Sequence, residues 1–515
     1  MGRDVYRRKL QRLLAHGIDE PMISLMSAVV AAQEGSDAAR ASLLDFPPEA
    51  VGAELGSPYH VPLWSIETLV NELLCTPKPI GWGVGRTRVL NADMFRTVRE
   101  LHRILIKLEN AEDGIFLEKH DVFDEMARIA QRQFPWQRGT TNLPHLYRSM
   151  LLYGTGTARD YFEADLGIAL SDFVKIGVCM SASLAANDFV RRDRDLSTIG
   201  ISPGVREAAL SRIALPHAEA RRRAAEMRRG NRHTAYRPSV LRDSPIIAFG
   251  ANGERLRAPI PELIMYRCTT GLYLDVVRGG STVWTDIGRH FEDYVLEYLQ
   301  AMMSPYDVVG ERVYGPKKAR HRTPDILVNS HGRVVAAVEC KAKRMSFDAR
   351  YADDPVATAS VGYEELAKGM FQIWRFFSHA RRGLTGDMIV APECRGVIVT
   401  ADSWLTMATG HAEQVLSSAN ALADAEGHIE DCDRREIAFC PIDDVEFALQ
   451  HGTGESFLDA CRDVSSGDRK GFMLSVAHMA TRQDERPYPF RSRVEALLPW
   501  MAPRTASTSA PRPSD

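Results

Sequence analysis

Two acidic residues and a lysine stand at the ends of two consecutive apolar segments in the middle of the chain. Asp325 begins the first segment, and Glu339, Cys340 and Lys341 end the second one. Side chains alternate between the two faces of a β-strand, so Glu339 and Lys341 share one face while Cys340 points to the other. A turn centred near His331 would fold the segments into an antiparallel hairpin and bring Asp325 opposite Ala337 to Glu339, depending on the register of the loop. One face of this hairpin would therefore gather two carboxylates and one ammonium group.

The second segment, Val334 to Val338, is apolar at every position, which is typical of a central strand buried on both faces. Charged side chains at the end of such a strand are costly unless they pair with each other or bind a metal. Carboxylates suit Mg²⁺, with Mn²⁺ as a substitute, and Mg²⁺ usually keeps several waters and binds a substrate phosphate. The hairpin therefore predicts a divalent-cation site beside a phosphodiester. A purely structural salt bridge between Glu339 and Lys341 is the simpler alternative.

Two amphipathic helices are predicted on either side of the hairpin, followed by strands at Gly396–Thr400 and Ile437–Pro441. The first helix would begin at Asp286 after a Thr285 cap and run to about Met302. This order of elements indicates an α/β arrangement with a mixed sheet. The predicted inward side chains are Ile287, Phe291, Val295, Tyr298, Leu299 and Met302 in the first helix and Leu366, Met370, Ile373, Trp374 and Phe377 in the second.

The arrangement Pro324-Asp325 … Glu339-Cys340-Lys341 resembles the PD-(D/E)xK nuclease superfamily, over about residues 285 to 450. The segment Gly288-Arg289-His290-Phe291-Glu292 is similar to the first core helix of that superfamily. Lys368 and Gln372, followed by Phe376, resemble the lysine and glutamine helix of its exonuclease-like branch, where the aromatic residue is usually tyrosine. The resemblance implies a restriction-endonuclease-like α/β core, with a mixed central sheet flanked by helices, that hydrolyses phosphodiester bonds by in-line attack.

The resemblance also implies a role for each residue of the site. Lys341 would orient or deprotonate the attacking water and stabilise the developing charge, and Gln372 would position Lys341 or a phosphate. DNA is the expected substrate because most members of the superfamily cut DNA, and restriction or anti-phage defence is an expected setting. The implied ligands of the Mg²⁺ are Asp325, Glu339, Cys340 through its carbonyl group, and Glu292.

Basic residues lie close to the hairpin in the sequence, both before Asp325 and after Lys341. At the rim of a metal site, such residues would neutralise phosphates and position a nucleic-acid strand. The alternative is an ordinary solvated loop. The predicted nucleic-acid contacts are Lys317, Lys318, Arg320, Arg322, Lys343, Arg344 and Lys368.

A second basic run lies further towards the N-terminus, and two interpretations of it remain open. It could clamp nucleic acid, or it could be a solvated helix whose arginines pair with Glu219 and Glu226. The run comprises Arg221, Arg222, Arg223, Arg228, Arg229, Arg232, Arg237 and Arg242.

The 515 residues suggest several domains, and the net charge of −3 leaves nucleic-acid contact to local patches. Residues 1–240 are predicted to be helical, with a role in recognition or in binding a second copy or a partner protein. One helix there would be capped by Asp93, with an apolar face made of Met94, Val98, Leu101, Ile104, Leu105 and Leu108. The nuclease-like part would span 244–450, a short helical extension 451–502, and a disordered tail 503–515.

Several motifs and segments argue against other classes of protein. The sequence has no apolar run near 18 residues and no secretory signal, and its eight cysteines form no CxxC pair, so we expect a cytoplasmic protein that does not bind membranes. Gly81–Gly85 is not a phosphate-binding loop. In Gly200–Gly204, Pro203 lacks the N–H that a hydrolase elbow needs, so a helix start is expected.

A catalytically silent nuclease fold, acting as a nucleic-acid-binding or assembly scaffold, is the alternative function.

Overall fold

The computed structural model describes residues 2–36, 43, 45–78, 90–138, 142–229, 233–481 and 484–501. Within them the fold is mixed α/β, about 60% helical, and contains two mixed sheets. The glycine-rich segment 81–85, Arg232 and the tail 503–515 lie outside the described residues.

Long helices dominate the first part of the chain, as the sequence predicts. Short 3₁₀ segments at Pro48–Ala50 and Ser197–Ile199 lie between them. The helices are α1 (Gly2–Ala15), α2 (Asp19–Gln33), α3 (Leu63–Cys75), α4 (Phe95–Phe116), α5 (Val122–Arg138), α6 (Leu143–Tyr153), α7 (Gly156–Leu166), α8 (Leu170–Ala186), α9 (Pro203–Ile213) and α10 (His217–Arg229).

Helix α4 confirms the predicted apolar stripe but not its predicted cap. Five of the six predicted residues are buried, and the sixth, Met94, is half-buried and precedes the helix. The helix begins at Phe95, and its N-cap residue is Met94, which makes no side-chain cap hydrogen bond. The main chain of Asp45 takes that role, because its carbonyl accepts the Phe95 N–H at 2.9 Å. The prediction that Asp93 caps the helix is therefore wrong.

A four-stranded mixed sheet joins the two parts of the chain. Its strands are β1 (Val190–Arg191), β2 (Ala214–Pro216), β3 (Ile246–Phe249) and β4 (Arg255–Arg257), in the order β1-β4-β3-β2. Strands β2 and β3 are parallel, and the other pairs are antiparallel. The first part is therefore not wholly helical, and strand pairing crosses the predicted boundary near residue 240. Strand β2 is only three residues long, too short to give a recognisable alternation.

Helices also make up a large share of the second part of the chain. Helix α14 begins at Gly280 rather than after a Thr285 cap, since the Thr285 hydroxyl donates to the Ser281 carbonyl inside the helix. The predicted stripes of α14 and α17 are buried. The helices are α11 (Val240–Asp243), α12 (Glu262–Cys268), α13 (Tyr273–Val276), α14 (Gly280–Met302), α15 (Phe347–Arg350), α16 (Pro355–Thr358), α17 (Ser360–Arg381), α18 (Thr409–Glu426), α19 (Ile442–Gln450), α20 (Gly454–Ser466), α21 (Leu474–His478) and α22 (Arg491–Leu497), with 3₁₀ segments at Thr270–Leu272, Val277–Gly279, Asp431–Asp433, Met479–Thr481 and Pro499–Met501.

The second sheet has five strands and is mixed, as predicted. Its order is β11-β10-β9-β8-β5, with β9 parallel to β10, β10 parallel to β11, and the other pairs antiparallel. Strand β9 is therefore central. The sequence did not predict the edge strand β5 or the small β6-β7 ribbon. The strands are β5 (Asp307–Gly310), β6 (Val313–Tyr314), β7 (His321–Arg322), β8 (Ile326–Ser330), β9 (Arg333–Lys341), β10 (Ile389–Thr400) and β11 (Ile437–Pro441).

The β8-β9 hairpin turns tightly through His331 and Gly332, whose φ angles are 48° and 74°. Two consecutive positive φ angles are typical of the hairpin turns that match the twist of the strands. The register pairs Ile326 with Val338, so that Asp325 falls next to Glu339 across the hairpin. The predicted placement of Asp325 opposite the end of β9 is confirmed.

Both faces of the five-stranded sheet are covered, which explains the apolar character of β9. Ala336, Val338 and Cys340 belong to a core that includes Phe291 and Tyr294 of α14. The opposite face, with Val334 and Ala337, packs against Ile373 and Trp374 of α17. The alternation along the strand assigns Glu339 and Lys341 to the α17 side.

A helix among the described residues could cross a membrane only if it were both long and apolar. No single helix there is both long and apolar enough to cross a membrane, although two bent pairs, α1 with α2 and α7 with α8, meet the length and composition criteria when each pair is taken together.

The two glycines Gly332 and Gly288 should respond in opposite directions to substitution by alanine. Gly332→Ala forces a side chain into a left-handed turn residue and should lower the free energy of unfolding by about 1 kcal/mol. Gly288 lies inside α14 with open space around its missing Cβ, so Gly288→Ala should raise that free energy by about 0.5–1 kcal/mol. Denaturant unfolding measures both, and shifts of the same sign would contradict the turn geometry.

Candidate active site

The end of the central hairpin holds Asp325 against the backbone of β9. The Cys340 N–H donates to Asp325 Oδ2 at 2.7 Å. Since Asp325 precedes the first residue of β8, it has no strand partner of its own in this position, and the amide fixes where its carboxylate lies. The sequence prediction that Asp325 meets the Glu339–Lys341 segment is confirmed.

Glu339 and Lys341 form a close pair on the α17 side of β9. The Lys341 ammonium donates to Glu339 Oε1 at 2.8 Å, and the two side chains are 15% and 2% exposed, respectively. The second oxygen of Glu339, Oε2, is buried and has no hydrogen-bond partner among the described residues. A buried carboxylate oxygen without a partner is unfavourable, and here it lies next to a second carboxylate.

Helix α17 contributes two residues to the same cluster. Gln372 Oε1 accepts a long hydrogen bond from the Lys341 ammonium at 3.4 Å, as the resemblance implies. One turn earlier, Gly369 faces the pair so closely that a Cβ there would lie 3.1 Å from Lys341 Cε and 3.4 Å from Glu339 Cγ. The absence of a side chain at Gly369 therefore lets α17 approach the end of β9. Sequence reasoning missed Gly369, although a glycine inside a strongly periodic helix is a signal of close packing.

Glu292, on α14, is exposed at the protein surface but still influences the cluster. Partial burial and repulsion from Asp325 raise the pKa of Glu292 to about 7, and Lys341 opposes that shift. Glu292 also contributes to the raised pKa of Glu339. The predicted helix thus brings its glutamate close enough to Asp325 for the two carboxylates to repel each other.

Burial and mutual repulsion dominate the electrostatics of the cluster. Burial, followed by repulsion from Asp325 and Glu292, raises the pKa of Glu339 to about 7 and outweighs the Lys341 ammonium. Burial also raises the pKa of Asp325 above its usual value, although the Cys340 amide opposes this. Burial of Lys341 works to lower its pKa, but Glu339 outweighs that effect and the net pKa lies above the ordinary value.

The donor set fits a hard divalent cation that takes only part of its coordination from side chains. Among the described residues, no three His, Cys, Asp or Glu side chains are grouped closely enough to hold a metal by themselves. Mg²⁺ commonly uses one or two carboxylates and completes its shell with water and substrate oxygens. The buried Oε2 atom of Glu339 and the raised carboxyl pKa values are both features that a bound cation would relieve.

Most of the predicted nucleic-acid contacts are exposed, whereas the two that directly follow β9 are partly buried. Lys317, Lys318 and Arg320 are exposed in the connection between β6 and β7. Arg322 is also exposed and pairs with Glu311 at 2.7 Å.

The remaining predicted contacts lie after β9 and on α17. Lys368 is 54% exposed and near Glu365 at 3.6 Å, and Lys343 is partly buried. Arg344 is only 16% exposed and lies beside Asp402 at 3.8 Å, turned into the protein. This position does not favour contact between Arg344 and a strand lying across the site.

The N-terminal arginine run is largely committed to carboxylates, which supports the ion-paired interpretation. Arg222 pairs with both Glu219 and Glu226 at 2.6 Å, as that interpretation proposed. Further partners of the run are Asp19 for Arg221, Glu219 and Asp243 for Arg223, Glu72 for Arg237 and Glu67 for Arg242.

The Gly200–Gly204 segment starts a helix, as expected. Ser202 is the N-cap of α9, and its hydroxyl accepts the Val205 N–H at 3.3 Å. Its hydroxyl oxygen therefore has a structural role in this segment.

Comparisons of the chain with models of protein families, with curated proteins and with solved structures found no match.

The raised pKa of Glu339 predicts how stability varies with pH when no divalent cation is bound. A carboxyl group with a higher pKa in the folded protein stabilises the fold while protonated, so this contribution is complete below about pH 4.5 and is lost as the pH rises through about 7. Thermal unfolding in a chelator should therefore show stability falling between about pH 5 and about pH 8.

The variant Glu339→Gln provides the test, since it keeps the shape of the side chain without its charge. It should be more stable than the wild type above about pH 7 and lose most of the slope assigned to this group. Glu455→Gln, an exposed acid on α20, should keep the wild-type slope. An unchanged slope in Glu339→Gln would contradict the charge cluster.

Proposed function

We propose that this protein is a metal-dependent nuclease with a restriction-endonuclease-like core, built from the five-stranded sheet with α14 and α17. The observation that supports this most directly lies at the end of the central hairpin, where Lys341 donates to Glu339 and Gln372 and the adjacent Cys340 N–H donates to Asp325. These residue types, in this order along the sheet and the following helix, suit hydrolysis of a phosphodiester.

In this proposal the carboxylates hold the cation and define where the scissile phosphate lies. Asp325 and Glu339 would bind Mg²⁺ together with the Cys340 carbonyl, and Glu292 would assist from α14. A bound Mg²⁺ would supply Lewis acidity and lower the pKa of a bound water. The Cys340 N–H holds one oxygen of Asp325 in place, which keeps that carboxylate oriented before a cation arrives.

Lys341 would orient the attacking water and stabilise the negative charge that develops on the phosphate. Its raised pKa keeps the amine protonated at neutral pH, which favours this electrostatic role over removal of a proton from water. Gln372 would position the ammonium through its side-chain oxygen. Gly369 would keep α17 close enough for that contact.

DNA is the substrate we propose, with the exposed basic residues of the β6-β7 connection contacting its phosphates. Lys317, Lys318 and Arg320 carry charge into solvent on a segment that precedes Asp325 directly. Neutralisation of phosphates by such residues supplies sequence-independent affinity. Restriction or anti-phage defence in the cytoplasm is the setting we propose, with the helical first part recognising a trigger, a partner protein or a second copy.

Removal of the Lys341 ammonium should reduce cleavage much more than binding. Lys341→Ala is expected to lower the Mg²⁺-dependent rate on plasmid and linear DNA about 10³-fold, because preorganised charge at the developing anion is lost. Asp325→Asn should have a similar effect, and Gln372→Ala, which removes a positioning contact, about a tenfold one. Single-turnover cleavage assays in Mg²⁺ and in Mn²⁺ measure these rates.

Lys470→Ala is the matched control, because Lys470 is 62% exposed and also loses a glutamate partner, Glu436. It should cleave like the wild type. If pure wild-type protein cleaves neither DNA nor RNA with either metal, but binds nucleic acid, the silent scaffold replaces the nuclease.

The basic residues of the β6-β7 connection should contribute mainly to affinity. The triple variant Lys317→Ala, Lys318→Ala, Arg320→Ala should weaken DNA binding and reduce the slope of log K against log salt by about 2 to 3. Binding is best measured with Ca²⁺ in place of Mg²⁺, over a range of salt concentrations. An unchanged slope would show that this connection is only a solvated loop.

A further inference from the structure

A cavity of about 850 Å³ lies beyond the carboxyl ends of the three parallel strands β9, β10 and β11. The segment after each strand contributes to its wall: Arg344 and Arg350 after β9, Asp402 after β10, and Glu446 after β11. Crevices at this end of parallel strands are the usual ligand sites of α/β sheets. The volume is in the range of about 300–1,000 Å³ that is typical of sites for small organic ligands.

The cavity is separate from the candidate active site. Glu339 and Lys341 face α17, where they contact Gly369 and Gln372. Among the described residues that line the cavity, none belongs to that group. The cavity takes its other walls from α5, α6, α12 and α21, so it lies where the first part of the chain meets the second.

One wall of the cavity carries more positive than negative charge. Arg350 donates to Asp402 at 2.6 Å, and Arg344 lies 3.8 Å from the same carboxylate. Two guanidinium groups therefore share a single lining carboxylate. Both arginines line the cavity, and the single negative charge of Asp402 cannot balance two guanidinium groups. A planar donor with unbalanced charge is suited to a phosphate group.

The facing wall, on α19, is acidic. Asp443 and Glu446 both accept from Arg148, and the His145 ring contacts Asp443 at 2.8 Å. The Tyr294 hydroxyl also donates to Glu446, and Asp443, whose side chain is 38% exposed, is the more accessible acceptor for amino or hydroxyl groups on this wall.

Aromatic side chains complete the walls. Four aromatic residues from separate segments of the chain line the cavity: Phe134, Tyr266, Phe447 and Tyr488. Flat apolar surfaces of this kind accommodate an aromatic ring by stacking.

We propose that this cavity binds a nucleotide. Its phosphate would lie against Arg344 and Arg350, its base among the aromatic side chains, and its amino and hydroxyl donors towards Asp443 and Glu446. The charge on each wall and the aromatic lining together favour this class over a free anion, which would use one wall only. The inference does not depend on the nuclease proposal.

Isothermal titration of the full chain with AMP, GMP, CMP and UMP tests this directly. Titrations in a chelator, and in the Asp325→Asn variant, exclude occupation of the candidate active site as a cleavage product. We expect saturable binding of at least one nucleotide, at least tenfold tighter than that of inorganic phosphate or of the matching nucleoside. Failure of all four nucleotides to bind at about 1 mM, or equally tight binding of phosphate alone, would overturn the proposal.

Two variants locate the site. Arg350→Gln should weaken binding at least tenfold by removing a charged donor, and Ser475→Phe, at a lining position of α21, should abolish it by filling the space. Arg462→Gln is the control, since it loses a comparable pair with Asp459, 3.2 Å away, on the surface of α20. Each variant is first checked for wild-type thermal unfolding. Unchanged affinity in both folded cavity variants would place the nucleotide elsewhere and overturn the assignment.

Discussion

The pairing of Glu339 with Lys341 inside the protein is the constraint on which the rest of the site depends. A carboxylate that is 2% exposed can be maintained only if its surroundings compensate for the lost water. Lys341 supplies part of that compensation, and one oxygen still lacks a hydrogen-bond partner among the described residues. The central position of β9, covered on both faces, creates this situation. A strand at the edge of the sheet would have left the same residues in water, with ordinary pKa values.

The helices around the sheet are arranged so that this charge cluster is reached from two sides. Helix α17 approaches β9 closely at Gly369, and Gln372 then contacts the ammonium. Helix α14 brings Glu292 to the side of Asp325. Cys340, between the two charged residues, faces the opposite core and anchors the strand there. The two faces at the end of β9 therefore differ: Glu339 and Lys341 carry charge on one face, and Cys340 packs into the core on the other.

Much of this arrangement follows from sequence because it rests on strong local periodicity. The apolar run of β9, the turn at His331 and Gly332, and the buried stripes of α14 and α17 are all visible in the chain itself. The sequence placed Asp325 opposite Ala337 to Glu339 and left the exact partner to the loop register, which the observed two-residue turn sets at Glu339. Strand β11 was predicted with its observed ends, Ile437 and Pro441.

Other features escaped prediction because non-local contacts determine them. Met94 rather than Asp93 precedes α4, since the Asp45 carbonyl satisfies the first helical N–H. Strands β2 and β5 are short, and their partners lie far along the chain. Arg344 has the sequence context of an exposed basic residue, but Asp402, which no local pattern links to it, turns it inward. Gly369 matters only because of what lies opposite it in the folded protein.

The parallel pairing of β2 with β3 has a mechanical consequence. In the sequence, the arginine-rich helix α10 lies between these two strands. Its Arg221 pairs with Asp19, far earlier in the chain, and its Arg223 pairs with Asp243, just before β3. Strand pairing therefore ties the first part of the chain to β3 and β4, which belong to the second part. Truncation near residue 240 would therefore remove β1 and β2 from a shared sheet rather than release an independent module.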